Sequence, residues 1–368
     1  MRRVFVSAGE PSGDAHAAEV VRRLFADQEG IAVDGIGGPR MEEAGARLIA
    51  RMEDLSAIGV AEVLRSVPAH LALLARLRRR FTLERYDLAV LVDYPGFHLR
   101  LARVAARRGV PVLYYIAPQL WAWGAWRLPA LRRSVSHLAV ILPFEQTFFA
   151  GRGIPTTFVG HPLLDRPPTP TRDAARRVLG LGSDVPLLTL SPGSRRAEIR
   201  RLWPTLRRAA HRLREAVPDL EVLLLEAPCG VAPADEAFRV WRGDPAVAFA
   251  AADAGLCKSG TTTLEAALAG MPMVIAYRMH PASFALAKRV VSVPSVGLVN
   301  LIAGRGVAPE LLQGEATPEA LASAALPLLD PAGREASEQR DALETVRSAL
   351  GTPGAAGRVA ELGRELAA

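Results

Sequence analysis

The chain has 368 residues, half of them hydrophobic and 23% charged, with a formal net charge of +7. That length exceeds one compact core, so two domains of roughly 150 to 200 residues are expected, and the composition excludes intrinsic disorder. Two cysteines, Cys229 and Cys257, and seven scattered histidines offer neither a disulfide framework nor metal-ligand spacing, which fits a reducing cytoplasm.

Arginine carries nearly all the positive charge, since Lys258 and Lys288 are the only lysines. The balance points to anionic partners: phosphate ligands, an acidic lipid surface or nucleic acid. Met1-Arg2-Arg3 before Val4-Phe5-Val6 begins as a signal peptide does, but the apolar run ends at Gly9-Glu10, too soon for an h-region. No window has the apolar length that spans a bilayer. The expectation is a protein neither secreted nor transmembrane.

Residues 3–8 read as a strand and 14–26 as a helix, joined by Ala8-Gly9-Glu10-Pro11-Ser12-Gly13-Asp14. The two glycines permit a tight turn that brings the backbone of Gly9, Glu10, Ser12 and Gly13 toward a ligand. Ser12 or Asp14 is equally a cap for the helix, the role that suits Asp14 better. The turn lacks the G-x-G-x-x-G spacing of a dinucleotide site, and Gly35-x-Gly37-Gly38, after a second strand at 32–36, is cut short by Pro39. Residues 60–81 form a long amphipathic helix in which Pro68 marks a break or kink. Its arginines, Arg65, Arg76, Arg78, Arg79 and Arg80, suit an anionic bilayer or simply a solvated helix face.

Strands recur at 88–92, 112–116 and 138–142, with helices such as 99–108 between them. Asp93 ends the first of these strands, where a carboxylate points into the ligand crevice of a parallel sheet. It is a candidate general base for an attacking hydroxyl, or a cap of the next helix. His98 takes an ordinary helix position. The aromatic-rich turn from Tyr114 to Trp123, which includes Gln119, either packs inward or holds a sugar face or acyl chain. His161 is given a structural hydrogen bond, and Pro162, Pro167, Pro168 and Pro170 mark a linker across 161–171.

The alternation then restarts with strands at 187–190, 221–225 and 273–276, a helix at 197–216, and helical segments from 317 to the C-terminus. Ser191-Pro192-Gly193-Ser194-Arg195-Arg196-Ala197-Glu198 joins the first strand to its helix; Ser194 and Arg195 offer a hydroxyl and a forked cation. Ser259-Gly260-Thr261-Thr262-Thr263-Leu264-Glu265 follows the apolar run 254–258. Small residues at this helix start leave N–H groups for a phosphate, and Glu265, about one turn further in, can accept hydrogen bonds from a ribose. Either turn alone also reads as an ordinary cap. Together they favour a diphosphate or nucleotide, and because neither is a P-loop, triphosphate hydrolysis is disfavoured. The rhythm implies an α/β protein of two Rossmann-like, doubly wound domains facing across a cleft, with ligands at the carboxyl ends of the strands. The expected boundaries are 1–165 and 172–349, with a C-terminal helix over about 350–368 packing back on the first domain.

These motifs together resemble the lipid-A-disaccharide synthase family, bacterial glycosyltransferases of the GT-B class. The resemblance runs from Val4 to about Gln313 and rests on the segments quoted around Gly9, Asp93, Gln119, Arg195 and Ser259. It also rests on Leu142-Pro143-Phe144-Glu145, Phe158-Val159-Gly160-His161-Pro162 and Asn300-Leu301-Ile302-Ala303-Gly304-Arg305. It implies transfer of 2,3-diacylglucosamine from UDP-2,3-diacylglucosamine to lipid X (2,3-diacylglucosamine 1-phosphate), with inversion, a β-1,6 linkage and release of UDP. No metal and no cofactor are implied. Arg195 would hold the diphosphate, with Ser194, Ser259, Gly260, Thr261 and Thr262 beside it; Glu265 would meet the ribose, Asp93 would be the base and Asn300 would lie near the nucleotide. Peripheral association with the cytoplasmic face of the inner membrane is implied as well, and a homodimer is left open. Three departures stand out: Val299 where the family has proline, Ser191 where it has an apolar residue, and a short stretch from 227 to 247. The rival readings are another UDP-sugar GT-B enzyme, such as a peptidoglycan N-acetylglucosaminyltransferase or UDP-sugar epimerase, and a non-catalytic nucleotide-sugar or lipid-surface binding protein. Dispersed arginines and the lack of a recognised module speak against nucleic acid.

Overall fold

The computed structural model describes residues 2–26, 30–54, 60–227, 229–233, 235–291 and 293–368. They form two compact units: unit 1 comprises Met1–Arg166 and Leu350–Ala368, and unit 2 comprises Pro167–Ala349.

Unit 1 runs β1 (Arg2–Ala8), α1 (Pro11–Ala26), β2 (Ile31–Gly37), α2 (Pro39–Glu43), β3 (Arg47–Arg51), α3 (Val60–Leu83), β4 (Leu88–Val92), α4 (Pro95–Ala106), β5 (Val112–Tyr115), α5 (Leu128–Ser134), β6 (His137–Val140), α6 (Pro143–Ala150) and β7 (Thr156–Phe158). Its seven strands are ordered β3-β2-β1-β4-β5-β6-β7, and the pairs flanking β1 are parallel. The central strands are buried on both faces, which is why Leu88–Val92 is continuously apolar rather than alternating. Val4, Val6, Val90 and Val92 pack under α1 and the last helix, whose Ala356, Val359 and Ala360 join the same core. On the other face Phe5 meets Phe81 of α3, with ring centroids 5.1 Å apart.

Unit 2 runs α7 (Arg172–Leu179), β8 (Leu187–Ser191), α8 (Arg196–Ala216), β9 (Glu221–Leu225), β10 (Arg239–Trp241), α9 (Pro245–Ala251), β11 (Ala254–Lys258), α10 (Thr261–Leu268), β12 (Met273–Tyr277), α11 (Pro281–Val290), α12 (Leu298–Ala303), β13 (Glu310–Leu312), α13 (Pro318–Ala325) and α14 (Arg334–Ala349); α15 (Ala355–Leu366) belongs to unit 1. The six strands follow β10-β9-β8-β11-β12-β13. Leu188, Leu190, Leu224, Leu256 and Val274 pack beneath Leu206 and Leu213 of α8 and Leu321 of α13. Arg176 is fully buried; it meets the Asp253 carboxylate at 3.0 Å and donates to the Ala251 and Gly182 carbonyls, which ties α7 to the sheet.

Several expected elements come out differently. Helix α1 begins at Pro11, so Ser12, Gly13 and Asp14 lie inside its first turn rather than in a loop. Asp14 does not cap its own helix. Its buried carboxylate accepts hydrogen bonds from Gly38, Arg40 and Met41 N–H, and so caps α2, whose first residue is the Pro39 that interrupts the glycine run. Pro68 does not end α3; it removes one hydrogen bond at an exposed position, and the helix continues to Leu83. Arg80 is not on a solvated face, because it pairs with Asp34 and Glu84 and donates to Tyr86. The Arg65 side chain lies outside the described residues.

Candidate functional site

In a doubly wound sheet the ligand crevice opens where the strand order reverses, outside the carboxyl ends of the two strands that flank the reversal. Unit 1 reverses between β1 and β4, and unit 2 between β8 and β11. The turns after these four strands are those that carry Gly9 and Glu10, Asp93, Ser194 and Arg195, and Ser259 to Thr262.

In unit 1, Asp93 and Tyr94 both adopt left-handed backbone, with φ of 52° and 49°. Two such non-glycine residues in succession cost about 1–3 kcal/mol each unless their surroundings hold them. The clamp is explicit. The Asp93 carbonyl accepts from His98 Nδ1 and from the Tyr114 hydroxyl, both at 2.7 Å, while Asp93 N–H donates to the Tyr115 carbonyl at 2.9 Å. Because Nδ1 must carry the proton, Nε2 of His98 accepts from the Ser7 hydroxyl at 2.8 Å. Burial pushes the His98 pKa down to about 4, so the ring is neutral and serves as a fixed strut. Pro95 opens α4 directly after the strained pair.

This turn leaves the Asp93 carboxyl in a poorly solvated place. Burial first, then the negative charge of Glu10, raise its pKa to about 6. Gly9 brings the β1 turn close by: a Cβ there would stand 2.4 Å from the Tyr94 ring, so only glycine fits. Gly13 is buried with ordinary space beside Ala8 and Val92. Ser12 and Glu10 are exposed, as is Gln119, whose carbonyl accepts from Ala122 and Trp123 N–H in the turn beyond β5. Tyr114 and Tyr115 are core residues, and Trp121 donates to the buried Glu145 at 2.9 Å, so most of the aromatic run packs inward. Burial raises the Glu145 pKa to about 7. His161 is buried and caps the following turn by accepting from Leu163 N–H.

In unit 2 the two turns are joined by a pair that the sequence did not single out. Glu198, in the first turn of α8, accepts from Ser194 and Arg195 N–H at 3.3 and 3.4 Å and pairs with Lys258 at 3.1 Å. The Lys258 ammonium is 3.7 Å from the point where a Gly260 Cβ would stand, and its Cδ is 3.7 Å from the corresponding point at Gly193. One lysine thus lies between the β8 and β11 turns. Its signal was available: it is one of two lysines in an arginine-rich chain, at the carboxyl end of an apolar strand.

Gly260 has φ 152° and ψ −165°, a region open essentially to glycine, and no side chain caps α10 behind it. Thr261 is exposed and Thr262 and Glu265 are half-buried on that first turn. The Ser259 hydroxyl donates to the Val296 carbonyl at 2.9 Å, which fastens the loop before α12 to this turn. Asn300 is not among the exposed groups. It is 3% exposed, its amide donates to the Ala308 carbonyl and Glu310, and its oxygen accepts from Val307 and Ala308 N–H. Glu310 also accepts from Val296 and Gly297 N–H. Sequence reasoning missed Glu310; with Asn300 it shapes the loop that Ser259 touches.

Chemically, unit 2 offers an uncapped helix start, an exposed arginine and nearby hydroxyls, which suit an anion. Unit 1 offers a carboxyl whose pKa lies near neutrality, which suits proton transfer.

Comparison with known proteins bears on both. Residues 4–355 match the profile described as lipid-A-disaccharide synthetase. A lipid-A-disaccharide synthase of Anaeromyxobacter sp. (strain K) is 43% identical over 369 residues, which cover 98% of this chain and 96% of that protein. Among solved structures, the glycosyltransferase of kitacinnamycin aligns with TM-score 0.65 at 18% identity, covering 99% of this chain and 98% of that one. Arabidopsis thaliana UGT89C1 aligns with TM-score 0.67 at 12% identity, covering 100% and 99%. At these identities the structural likeness speaks for the fold, two parallel-sheet α/β units of the GT-B type.

Proposed function

The chain belongs to the lipid-A-disaccharide synthetase family and is a glycosyltransferase of lipid A biosynthesis; from that premise we propose that it moves 2,3-diacylglucosamine from its UDP carrier to lipid X. The acceptor oxygen bonds to the anomeric carbon as the bond from that carbon to the diphosphate breaks. The anomeric configuration inverts, the acceptor proton passes to Asp93, and UDP leaves with the negative charge. In this reading Arg195, Ser194 and the N–H groups at the start of α10 (Gly260, Thr261 and Thr262) receive the developing charge on the diphosphate. Glu265 accepts hydrogen bonds from the ribose hydroxyls. Ser259, Asn300 and Glu310 position the neighbouring loop. Gly9, Glu10, Ser12, Gly13 and Gln119 border the acceptor side, and the acylated substrates bring the protein to the inner-leaflet surface of the membrane.

The observation that carries this proposal is the pairing of β8 with β11, Ser191 opposite Cys257, which sets both anion-suited turns side by side at one sheet edge with Glu198 and Lys258 between them. A raised Asp93 pKa supports the base role, because a carboxylate that titrates near 6 is a stronger proton acceptor than a solvated one and is still ionised at neutral pH. The test is to mix the purified protein with UDP-2,3-diacylglucosamine and lipid X and to follow UDP and disaccharide. Stoichiometric formation of both is expected. Turnover of non-acylated UDP-N-acetylglucosamine alone would reject the substrate assignment, and UDP binding without UDP release would reject catalysis.

A further inference from the structure

Lys258 stands in an electrostatically awkward place. It is the last residue of β11, and its ammonium lies 3.7 Å from the point where a Cβ of Gly260 would stand. Gly260 directly precedes α10, and the start of a helix is the positive end of its dipole. A cation there is repelled by the helix unless an anion answers both. Glu198 answers in part. Its Oε1 accepts from the Lys258 ammonium at 3.1 Å, and its Oε2 accepts from Ser194 and Arg195 N–H at 3.3 and 3.4 Å. The last two bonds are long for N–H to oxygen, and the start of α10 itself has no side-chain cap. Lys258 is 19% exposed and Glu198 22%, so a ligand arriving at this edge can reach the pair.

More positive charge gathers here than one acid can match. Burial first, then the charge of Glu198, raise the pKa of Tyr277 at the end of β12, while Arg195 and Arg201 act against the rise. The Lys258 ammonium lies 5.6 Å from the centroid of the same ring. Three cations and one acid thus act around this phenol. Arg195 and Arg201 are exposed and make no ion pair among the described residues. Polar groups without partners collect at this edge too. Thr189 turns toward α9, where it donates to the Ala248 carbonyl at 3.5 Å, and Ser191, two residues on, shares that side of β8. Ser191 is 5% exposed, and its Oγ has no hydrogen-bond partner among the described residues. The other buried side-chain atom in that condition is Gln313 Nε2, just past β13 on the same edge of the same sheet. Leaving a buried polar group unpaired is costly, and both orphans fall where a ligand would supply the partner.

We propose that Lys258 is a phosphate-binding residue: its ammonium meets the diphosphate of a nucleoside diphosphate seated on the start of α10, and Glu198 is the counter-ion that offsets its charge when no ligand is bound. An ammonium has three N–H donors, so one can stay on Glu198 while the others turn to phosphate oxygens. A lysine suits this task, because its compact charge on a flexible stem can follow the ligand without the fixed fork of an arginine. The inference rests on the UDP-sugar reading above and adds to it a residue outside the two turns. The competing use of the pair is a plain tie between those turns. The two uses differ in sign at Glu198: removing either partner of a tie loosens both turns, whereas removing a counter-ion leaves the lysine free to meet the phosphate.

The test is calorimetric titration of UDP, with uridine followed by ligand-observed NMR, on the wild type and three variants of the full chain. Lys258→Met should bind UDP roughly ten- to a hundred-fold more weakly, as for a lost charge-assisted contact, and bind uridine within about two-fold of wild type. Glu198→Gln should bind UDP at least as tightly as wild type. Arg347→Met, which removes one positive charge from an exposed position of α14, should stay within about two-fold for both ligands. Unchanged UDP affinity in Lys258→Met would overturn the proposal and leave the UDP-sugar reading standing, whereas a wild type that binds no UDP would overturn both. Equal losses of UDP and uridine in Lys258→Met would overturn it in favour of a structural tie, and an equal loss of UDP in Arg347→Met would reduce the effect to net charge. If Lys258→Met does not fold, Glu198→Gln decides alone: weakened UDP binding there overturns the proposal, and equal or tighter binding upholds it.

Discussion

The β4–α4 turn of unit 1 and the β8–α8 and β11–α10 turns of unit 2 occupy equivalent places in two sheets of the same topology, yet they are built on opposite principles. Around Asp93 the backbone is clamped by His98, Tyr114 and the Tyr115 carbonyl, and burial with the nearby charge of Glu10 raises the pKa of the carboxyl. Around Gly260 the start of α10 lacks a side-chain cap, and beside it Arg195 keeps an exposed guanidinium although Glu198 accepts from its backbone N–H. The difference follows from what each place is proposed to do. A base needs a fixed position and a raised pKa, which burial and strain supply. A diphosphate site needs unpaired donors, which capping would remove.

Substitutions can break that contrast, and the largest effect is expected at Asp93. Asp93→Asn keeps the shape and removes the proton acceptor, so kcat should fall by about 10²–10⁴, measured as UDP released under saturating substrates. A near-wild-type kcat would remove Asp93 from the chemistry. Arg195→Ala should come next, with UDP bound roughly ten- to a hundred-fold more weakly through loss of a charge-assisted contact; calorimetric titration with UDP reads this, and an unchanged Kd would exclude the contact. Asn300→Ala should behave as neither. Taking the acceptor from the Val307 and Ala308 N–H groups and one donor from Glu310 costs about 1–3 kcal/mol, so the melting temperature should drop together with UDP affinity. A loss of affinity at constant melting temperature would make Asn300 a direct ligand group instead.

The smallest effect sharpens the contrast by pH. The base must be ionised, so kcat should rise as pH increases through about 6 and level off above it. The Glu10 charge helps to raise the Asp93 pKa, so Glu10→Gln should move this limb to lower pH. A limb that stays in place or moves upward would mean that Glu10 does not act on Asp93 through its charge.

Much of this was legible in the chain. Apolar runs such as Leu88–Val92 and Ala254–Lys258 announce doubly buried parallel strands, and the glycines after β1, β8 and β11 announce tight turns into helices. The short strands β3, β7, β10 and β13 were not legible, because three to five partly exposed residues carry no clear period. Long-range pairings were also hidden. Asp14 caps a helix 24 residues away, and Arg80 meets Asp34 across 46, so local signals assigned the first to the wrong helix and the second to solvent. The reversal points between β1 and β4 and between β8 and β11 depend on strand order, which the alternation of elements leaves open.

The division of labour between the two units is tested most directly by titrating UDP into Asp93→Asn and Arg195→Ala and measuring turnover on the same samples. The account predicts that Asp93→Asn keeps wild-type UDP affinity and loses kcat, whereas Arg195→Ala loses UDP affinity. Wild-type UDP affinity in Arg195→Ala, together with weakened affinity in Asp93→Asn, would contradict it.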